Sequence, residues 1–580
     1  MDVSKYMDLN PAARVVFNCL PERRTRVRFM VPDGQGDWRA ITWGAFANEI
    51  EAVGLYLNSI GLKLGDRATI LANNCVEWMS AALGIQAAGG VMVPIYSSST
   101  TEQIAYVVEH SDARVLFVDS DKLLRRVLEQ WEQVEAGLLR IIALNDTLDV
   151  AKSLEALRAE GKAAPSASKV SEKFVNWSQV RSQGRALAEE SPDKIYQLLD
   201  NVSIDHNAVM LYTSGTTGLP KGVPLTHRNV GVNGRDWMQC NAPLLEEGYV
   251  DLLWLPLSHI FGFGEVCLGN TLGFVTYWTD PVNVLSQLPE VRPEVFMSVP
   301  RMFEKMATAA MDESTQKAQR AKLDAITGGN LKFCLSGGAG LKREVKEFLF
   351  THDMLIIEGY GLTEASPTLT LNRPSDFRFD SVGKPLQSVE LKLAEDGEIL
   401  ARGESIFNGY HKNPRATEET FTTDGWLKTG DIGRWTDDGF LQIIDRKKEI
   451  LVTAQGKNIP PANIEIRFRD DPYIAHVVAY GDGKPFITAG VWLHEEVIEP
   501  YLEEHGVKGK EARAEALQKL VTERVERANQ GLARFESIKK FVIIDEPLTV
   551  ENGLLTPTLK VKRKKVYERF DDAFQSLYSK

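Results

Sequence analysis

The sequence predicts an α/β protein: a large N-terminal domain of sheets covered by helices, followed by a small α+β C-terminal domain. Three observations carry this. Helical patterns alternate with short apolar runs, the apolar runs end in Gly, Pro or Ser, and the pattern changes after a charged turn at 445–449. The alternation is that of parallel sheets whose crossovers are helices. Over the first 140 residues it reads GDRATILAN, WMSAALGIQAAG, GVMVPIY and ARVLFVD. Trp78 to Tyr96 is apolar enough to suggest a membrane span, but Gly84, Gly89, Gly90 and Pro94 interrupt it, which suits a buried helix, turn and strand. Residues 149–192, rich in Ala, Glu, Lys and Ser, are expected as surface helix and connector. From His206 the strands return as AVMLY, DLLWLP, EVFMSVP, LKFCLSG and MLIIEGY, each delivering a loop to one sheet edge, where open α/β sheets bind ligands. After FLQII and the charged turn DRKKE, two hairpin-like strands (IAHVVAYG, PFITAGVWL), a long helical stretch and KKFVIID complete the smaller domain. The expected domains are 1–446 and 447–580.

Composition narrows the class. The 580 residues are 43% hydrophobic and 25% charged, which excludes collagen-like, coiled-coil and wholly disordered chains. A formal net charge of −12 argues against a nucleic-acid partner, which needs an extended basic face. The five cysteines form no CxxC pair, so zinc-ribbon and disulfide scaffolds fail and a reducing compartment fits. No signal peptide is visible at the N-terminus, and a cytoplasmic protein is expected.

The most informative segment follows the strand AVMLY. Thr213, Ser214, Gly215, Thr216, Thr217, Gly218, Leu219, Pro220, Lys221 and Gly222 combine three glycines, four hydroxyls and a lysine. Glycines let the backbone fold tightly and present N–H groups, hydroxyls add donors and the lysine adds charge, as holding a polyphosphate requires. The GxxxxGK[ST] spacing is absent, which excludes a P-loop ATPase. YTSGTTGLPKG resembles the signature loop of the adenylate-forming superfamily, which includes acyl-CoA synthetases, luciferases and peptide-synthetase adenylation domains. Matches continue in family order to the C-terminus.

The resemblance assigns roles to residues of this sequence. Glu358-Gly359-Tyr360-Gly361-Leu362-Thr363-Glu364 resembles the adenine-, phosphate- and magnesium-binding motif. Tyr360 can stack on a purine, Thr363 can bond a phosphate oxygen, and Glu364 is an oxygen ligand suited to Mg2+, with Thr217 as a second ligand. Gly337, Gly338 and Ala339 resemble the backbone that packs on adenine. In TDGWLKTGD, Asp431 is the acceptor for the ribose hydroxyls, and Arg446 reaches the ribose or α-phosphate; this block resembles that of fatty acyl-CoA synthetases in particular. Lys448 matches the family's hinge, and Gly456 and Lys457 lie in the loop presented for thioester formation. Lys560 matches the lysine that bridges carboxylate and nucleotide, with Leu559 where many members have Gly. His259 and Trp237 are assigned to the acyl pocket. Arg301 is read equally as catalytic and as structural, and the run Lys562–Lys565 equally as a solvated face and as an attractor of CoA phosphates or a membrane surface.

The resemblance implies a long-chain fatty acyl-CoA ligase that uses fatty acid, ATP with Mg2+, and CoA. Its alternatives are a medium-chain or aryl acyl-CoA ligase, a fatty acyl-AMP ligase, a luciferase-like oxygenase, and an inactive acyl- or nucleotide-binding homologue. Peripheral contact with the inner membrane face is a further expectation, and both monomer and homodimer remain open.

Overall fold

A computed structural model describes residues 1–213 and 219–579. The chain divides into two compact units: Met1–Leu391 with Ala401–Lys428, and Lys392–Leu400 with Thr429–Lys580.

The first unit contains two large sheets. In the nine-stranded sheet, Val27–Pro32, Val275–Trp278, Val250–Leu253, Val295–Ser298, Phe333–Ser336 and Ile356–Gly361 neighbour one another in that order and run parallel. Antiparallel strands close its edges: Trp38–Thr42 at one side, and Thr368–Leu371 followed by Lys384–Pro385 at the other. Helices Ile260–Leu272, Val284–Val291, Pro300–Met311, Gln316–Thr327 and Arg343–Phe350 form the crossovers. Every parallel strand therefore ends at the same edge, and the segments 254–259, 299–301, 337–341 and 359–364 emerge there together.

The seven-stranded sheet runs Phe174–Val175, Arg140–Ala143, Ala113–Val118, Arg67–Leu71, Val91–Ile95, Asn207–Thr213, Lys221–Thr226, with only the last strand antiparallel. Its strand Val91–Ile95 is buried throughout, and the helix Val76–Ala87 before it is buried at every residue but Glu77. The apolar stretch from Trp78 is thus a core helix, turn and strand, and no described helix is long and apolar enough to cross a membrane. Residues 149–192 form the helices Val150–Ala159, Ala167–Ser171 and Trp177–Glu190, as expected, but also supply the edge strand Phe174–Val175. Two residues are too few to leave a period-2 signal.

The second unit holds the antiparallel pair Leu427–Trp435 and Leu441–Arg446 from Thr429 onward. A small hairpin, Leu451–Val452 with Asn458–Ile459, follows. Next comes the three-stranded sheet Ile474–Tyr480, Ile487–Leu493, Ile538–Ile543, in which the first pair is an antiparallel hairpin and the last strand joins parallel. Helices Glu495–Glu504 and Lys510–Asn529 supply the long helical stretch. Val477, Ala479, Ile487, Ala489, Val491, Val521 and Val525 pack as one core, so the helix Lys510–Asn529 covers one face of this sheet.

Candidate functional site

The first cluster lies in the first unit, where strands Asn207–Thr213 and Lys221–Thr226 face each other with Thr213 opposite Lys221. Ser214, Gly215, Thr216, Thr217 and Gly218 lie outside the described residues. The Lys221 ammonium sits 4.1 Å from the ring centre of Tyr410. The Tyr410 hydroxyl donates to Glu364 Oε1 at 2.8 Å, and the Phe407 N–H donates to the Glu364 carbonyl at 2.9 Å. Lys221 and Glu364, predicted as phosphate and metal groups, are thereby brought to the two sides of one tyrosine. A lysine ammonium over a π-face and a carboxylate held by a phenol are fixed charges of opposite sign, suited to a metal-bound polyphosphate. Among the described residues no three His, Cys, Asp or Glu side chains cluster as a metal cage.

Glu364 sits on a single 3-10 turn, Thr363–Ala365, after the strand Ile356–Gly361. The helix His227–Asn241 holds this turn from behind. Its N-cap Thr226 forms a capping box with Asn229. Asn233 donates to the carbonyls of Ala365 and Thr368 and accepts the Thr368 N–H, while Asn229 donates to the carbonyls of Glu404 and Ile406. Both asparagines are buried on one face, four residues apart. Gly361 is required because a Cβ there would fall 1.8 Å from the Pro367 carbonyl oxygen.

The loop 337–341 follows the strand Phe333–Ser336. Gly337 donates its N–H to Ser298, Gly338 adopts φ +82°, and Leu341 donates to Glu358 Oε1 at 2.8 Å. The other Glu358 oxygen is paired with Lys346, and the two side chains are 4% and 5% exposed. Glu358 therefore anchors the loop carrying Gly337, Gly338 and Ala339. Gly359 and Tyr360 pair with Leu371 and Thr370 on the neighbouring strand. A Cβ on Gly337 would lie 3.0 Å from Phe261, so this loop packs against the helix that His259 begins.

His259 is the N-cap of Ile260–Leu272, and its Nδ1 accepts the Phe261 N–H at 3.1 Å. In the neutral ring the hydrogen is then on Nε2. Asn74 secures the preceding loop by donating to the Leu255 carbonyl and accepting the Leu257 N–H. Trp237 is buried on His227–Asn241 in edge contact with Phe333, 5.3 Å between centres. Arg301 is exposed near the start of Pro300–Met311.

The second cluster lies within the second unit. Asp431 is buried opposite Arg446 and receives its Nε–H at 2.8 Å. Lys560 lies in the field of the same groups. Surrounding protein and the Arg446 guanidinium lower its affinity for a proton below the ordinary lysine value, against the pull of Asp431 and Glu449, although much of its surface stays accessible. The turn 556–560 closes through a Thr556 N–H to Lys560 carbonyl bond and a Lys560 N–H to Thr556 Oγ1 bond, and Leu559 takes φ +60°, a left-handed conformation that favours glycine. Lys448 is exposed between two anchored neighbours. Lys447 bridges Asp396 and Glu398, and Glu449 pairs with Arg563, which also holds Glu465. Arg563 is thus an internal ion-pair partner, and the basic run 562–565 is no uniform solvated face. Gly456, at φ +74° with open space around it, and Lys457 close the hairpin turn, the Lys457 ammonium 5.9 Å from the Phe535 ring.

Sequence reasoning missed Tyr410, Asn229, Asn233 and Asn74. Their long-range hydrogen-bond partners lie 46 to 183 residues away, so no local pattern marks these contacts, except that two asparagines four apart on an otherwise amphipathic helix hint at buried polar work.

Residues 18–411 match the AMP-binding enzyme family model, and residues 448–580 match the AMP-binding enzyme C-terminal domain. A long-chain-fatty-acid–CoA ligase of Mycobacterium bovis is 34% identical, covering 94% of this chain and 93% of its own. The peroxisomal long chain acyl-CoA synthetase 6 of Arabidopsis thaliana is 30% identical, covering 96% and 83%. The solved adenylation domain of a carboxylate reductase from Mycobacterium chelonae shares the fold, with TM-score 0.80 at 19% identity, covering 100% of this chain and 93% of that one. This chain belongs to the AMP-binding enzyme family.

Proposed function

We propose that this protein is a long-chain fatty acyl-CoA ligase. A fatty carboxylate oxygen attacks the α-phosphorus of Mg·ATP, forming the acyl-AMP anhydride while the bond to pyrophosphate breaks. The thiol of CoA then gives up its proton and attacks the acyl carbonyl, and AMP leaves. The observation that carries this reading is the presence of each charge the chemistry needs: Lys221 and Glu364 about one tyrosine in the first unit, and Asp431, Arg446 and Lys560 within the second. The full-length similarity to ligases named for long-chain fatty acids favours that substrate over medium-chain or aryl acids.

Neither step needs a covalent enzyme intermediate. Alignment and charge stabilisation carry the first step. Lys560 neutralises charge as two anions approach. Asp431 accepts the ribose hydroxyls, the 337–339 backbone and Tyr360 flank the adenine, and Thr363 bonds a phosphate. The loop 213–218 with Lys221 cradles the phosphates, and Glu364, with Thr217, holds Mg2+. His259 and Trp237 border the acyl group. For the second step the segment after residue 446 turns about Lys448 and presents Gly456 and Lys457 to CoA. The anchoring of Lys447 and Glu449 to different partners supports Lys448 as the residue that absorbs the rotation. An acyl substrate that partitions into lipid favours a cytoplasmic enzyme with peripheral contact at the inner membrane face.

Pyrophosphate exchange into ATP, measured without CoA, tests the first step. Exchange that depends on a long-chain acid and on Mg2+ is expected. No exchange with any acid contradicts the proposal and favours an acyl- or nucleotide-binding homologue without activity.

A further inference from the structure

Tyr410 touches both charged groups of the first cluster, and its own position is fixed from four directions. Its backbone N–H donates to Thr417 Oγ1 at 2.9 Å. Its ring lies edge-on to Phe407, 4.9 Å between centres, and Phe407 in turn stacks on Phe421. The next residue, His411, donates its N–H to the Gly222 carbonyl at 2.9 Å, beside Lys221. Phe407 donates to the Glu364 carbonyl on the opposite side. The segment 407–411 is therefore stitched by backbone bonds to the strand of Lys221 and to the turn of Glu364, with Tyr410 between them.

We infer that Tyr410 is a positioning residue that sets the Glu364 carboxylate and the Lys221 ammonium at a fixed separation for Mg2+ and phosphate. It divides the work between two parts of one side chain. The hydroxyl, donating to Glu364 Oε1, fixes the rotamer of the carboxylate and leaves Oε2 to turn toward a cation. The ring face holds the ammonium by its quadrupole without neutralising it, so Lys221 keeps its charge for phosphate. A carboxylate in that place would quench the lysine, and an aliphatic side chain would leave both groups unrestrained.

The inference rests on the proposed roles of Glu364 and Lys221, and the test separates the two. Tyr410→Phe removes only the hydroxyl, Tyr410→Leu removes hydroxyl and ring, and Glu364→Gln serves as reference; all are read by acid-dependent pyrophosphate exchange at varied Mg2+ and varied ATP. Tyr410→Phe is expected to raise the Mg2+ concentration for half-maximal exchange by about tenfold, as loss of a hydrogen bond to a charged group implies, while keeping the limiting rate and the KM for Mg·ATP. Tyr410→Leu is expected to raise that KM as well. A merely structural residue would instead lower the limiting rate at every Mg2+ concentration, and this result in Tyr410→Phe overturns the inference. An unmoved Mg2+ requirement in Tyr410→Phe alongside a raised one in Glu364→Gln overturns it too, and leaves the proposed function standing. An unmoved requirement in Glu364→Gln removes the metal role of Glu364 and the inference with it. Should the leucine variant fail to fold, the phenylalanine variant alone decides.

Discussion

Replacing Lys346 with methionine breaks an ion pair that lies behind the loop 337–341. Both side chains are almost fully buried, and Glu358 also accepts the Leu341 N–H at 2.8 Å. Removing one partner leaves a carboxylate buried with one donor, and breaking such a pair costs about 3–5 kcal/mol. The first unit has about 420 residues, so at ~2.1 cal/mol/K per residue its unfolding entropy is about 0.9 kcal/mol/K. A loss of about 4 kcal/mol then lowers its calorimetric midpoint by about 4–5 °C. Glu358→Gln keeps an acceptor for Leu341 but strands the ammonium, and a similar loss follows. The double variant Lys346→Met/Glu358→Gln buries neither charge and retains the Leu341 bond, so it is expected to lie within about 1 kcal/mol of the parent. The double-mutant cycle should therefore show a coupling of roughly 5–9 kcal/mol, the two single losses less that of the double variant, with faster hydrogen exchange at Leu341 in the single variants only. Additive losses, with the double variant the least stable, would refute the view that this pair holds the loop.

Three further outcomes follow from the same geometry. Lys560→Ala is expected to slow acyl-AMP formation by about 10²–10³-fold, the usual effect of removing one charge-stabilising donor, while thioester formation from supplied acyl-AMP continues; equal loss in both steps would contradict its role. Lys448→Pro is expected to do the reverse, since a fixed φ blocks rotation at that residue, and normal thioester turnover would reject the hinge. Burial, with His206 nearby, pushes His227 down to about 4. An unfolded histidine titrates near 6.5, so the folded state binds fewer protons between these values and loses stability as pH falls from about 6.5 to 4, by at most about 3 kcal/mol. His227→Gln should flatten that part of the melting-temperature profile, and an unchanged slope would show that His227 does not titrate there.

The strand-end loops were legible because catalytic polyphosphate chemistry demands local runs of Gly, Thr and Ser after apolar strands, and the sequence shows such runs. The parallel sheets were legible for the same local reason. Glu358 illustrates what was not: nothing near it in sequence reveals that Lys346 and Leu341 occupy both of its oxygens. Tyr410 was equally silent, because its two partners lie on other elements and are brought to it only by the fold. Residues 392–400 fall in the second compact unit, although the chain returns afterwards to the first. Glu398 explains their place, since it accepts the Gly430 N–H and pairs with Lys447, contacts that no periodicity encodes. Leu559 shows a third kind of limit, for a left-handed φ at a leucine contradicts the local preference that sequence reasoning relies on.

The most direct measurement is release of AMP and formation of acyl-CoA with Mg·ATP over saturated acids from two to eighteen carbons, with and without CoA. The account predicts a maximum at long chains, with sustained AMP release only when CoA is present. Acyl-AMP that accumulates despite CoA, or a maximum at short or aryl acids, would contradict it.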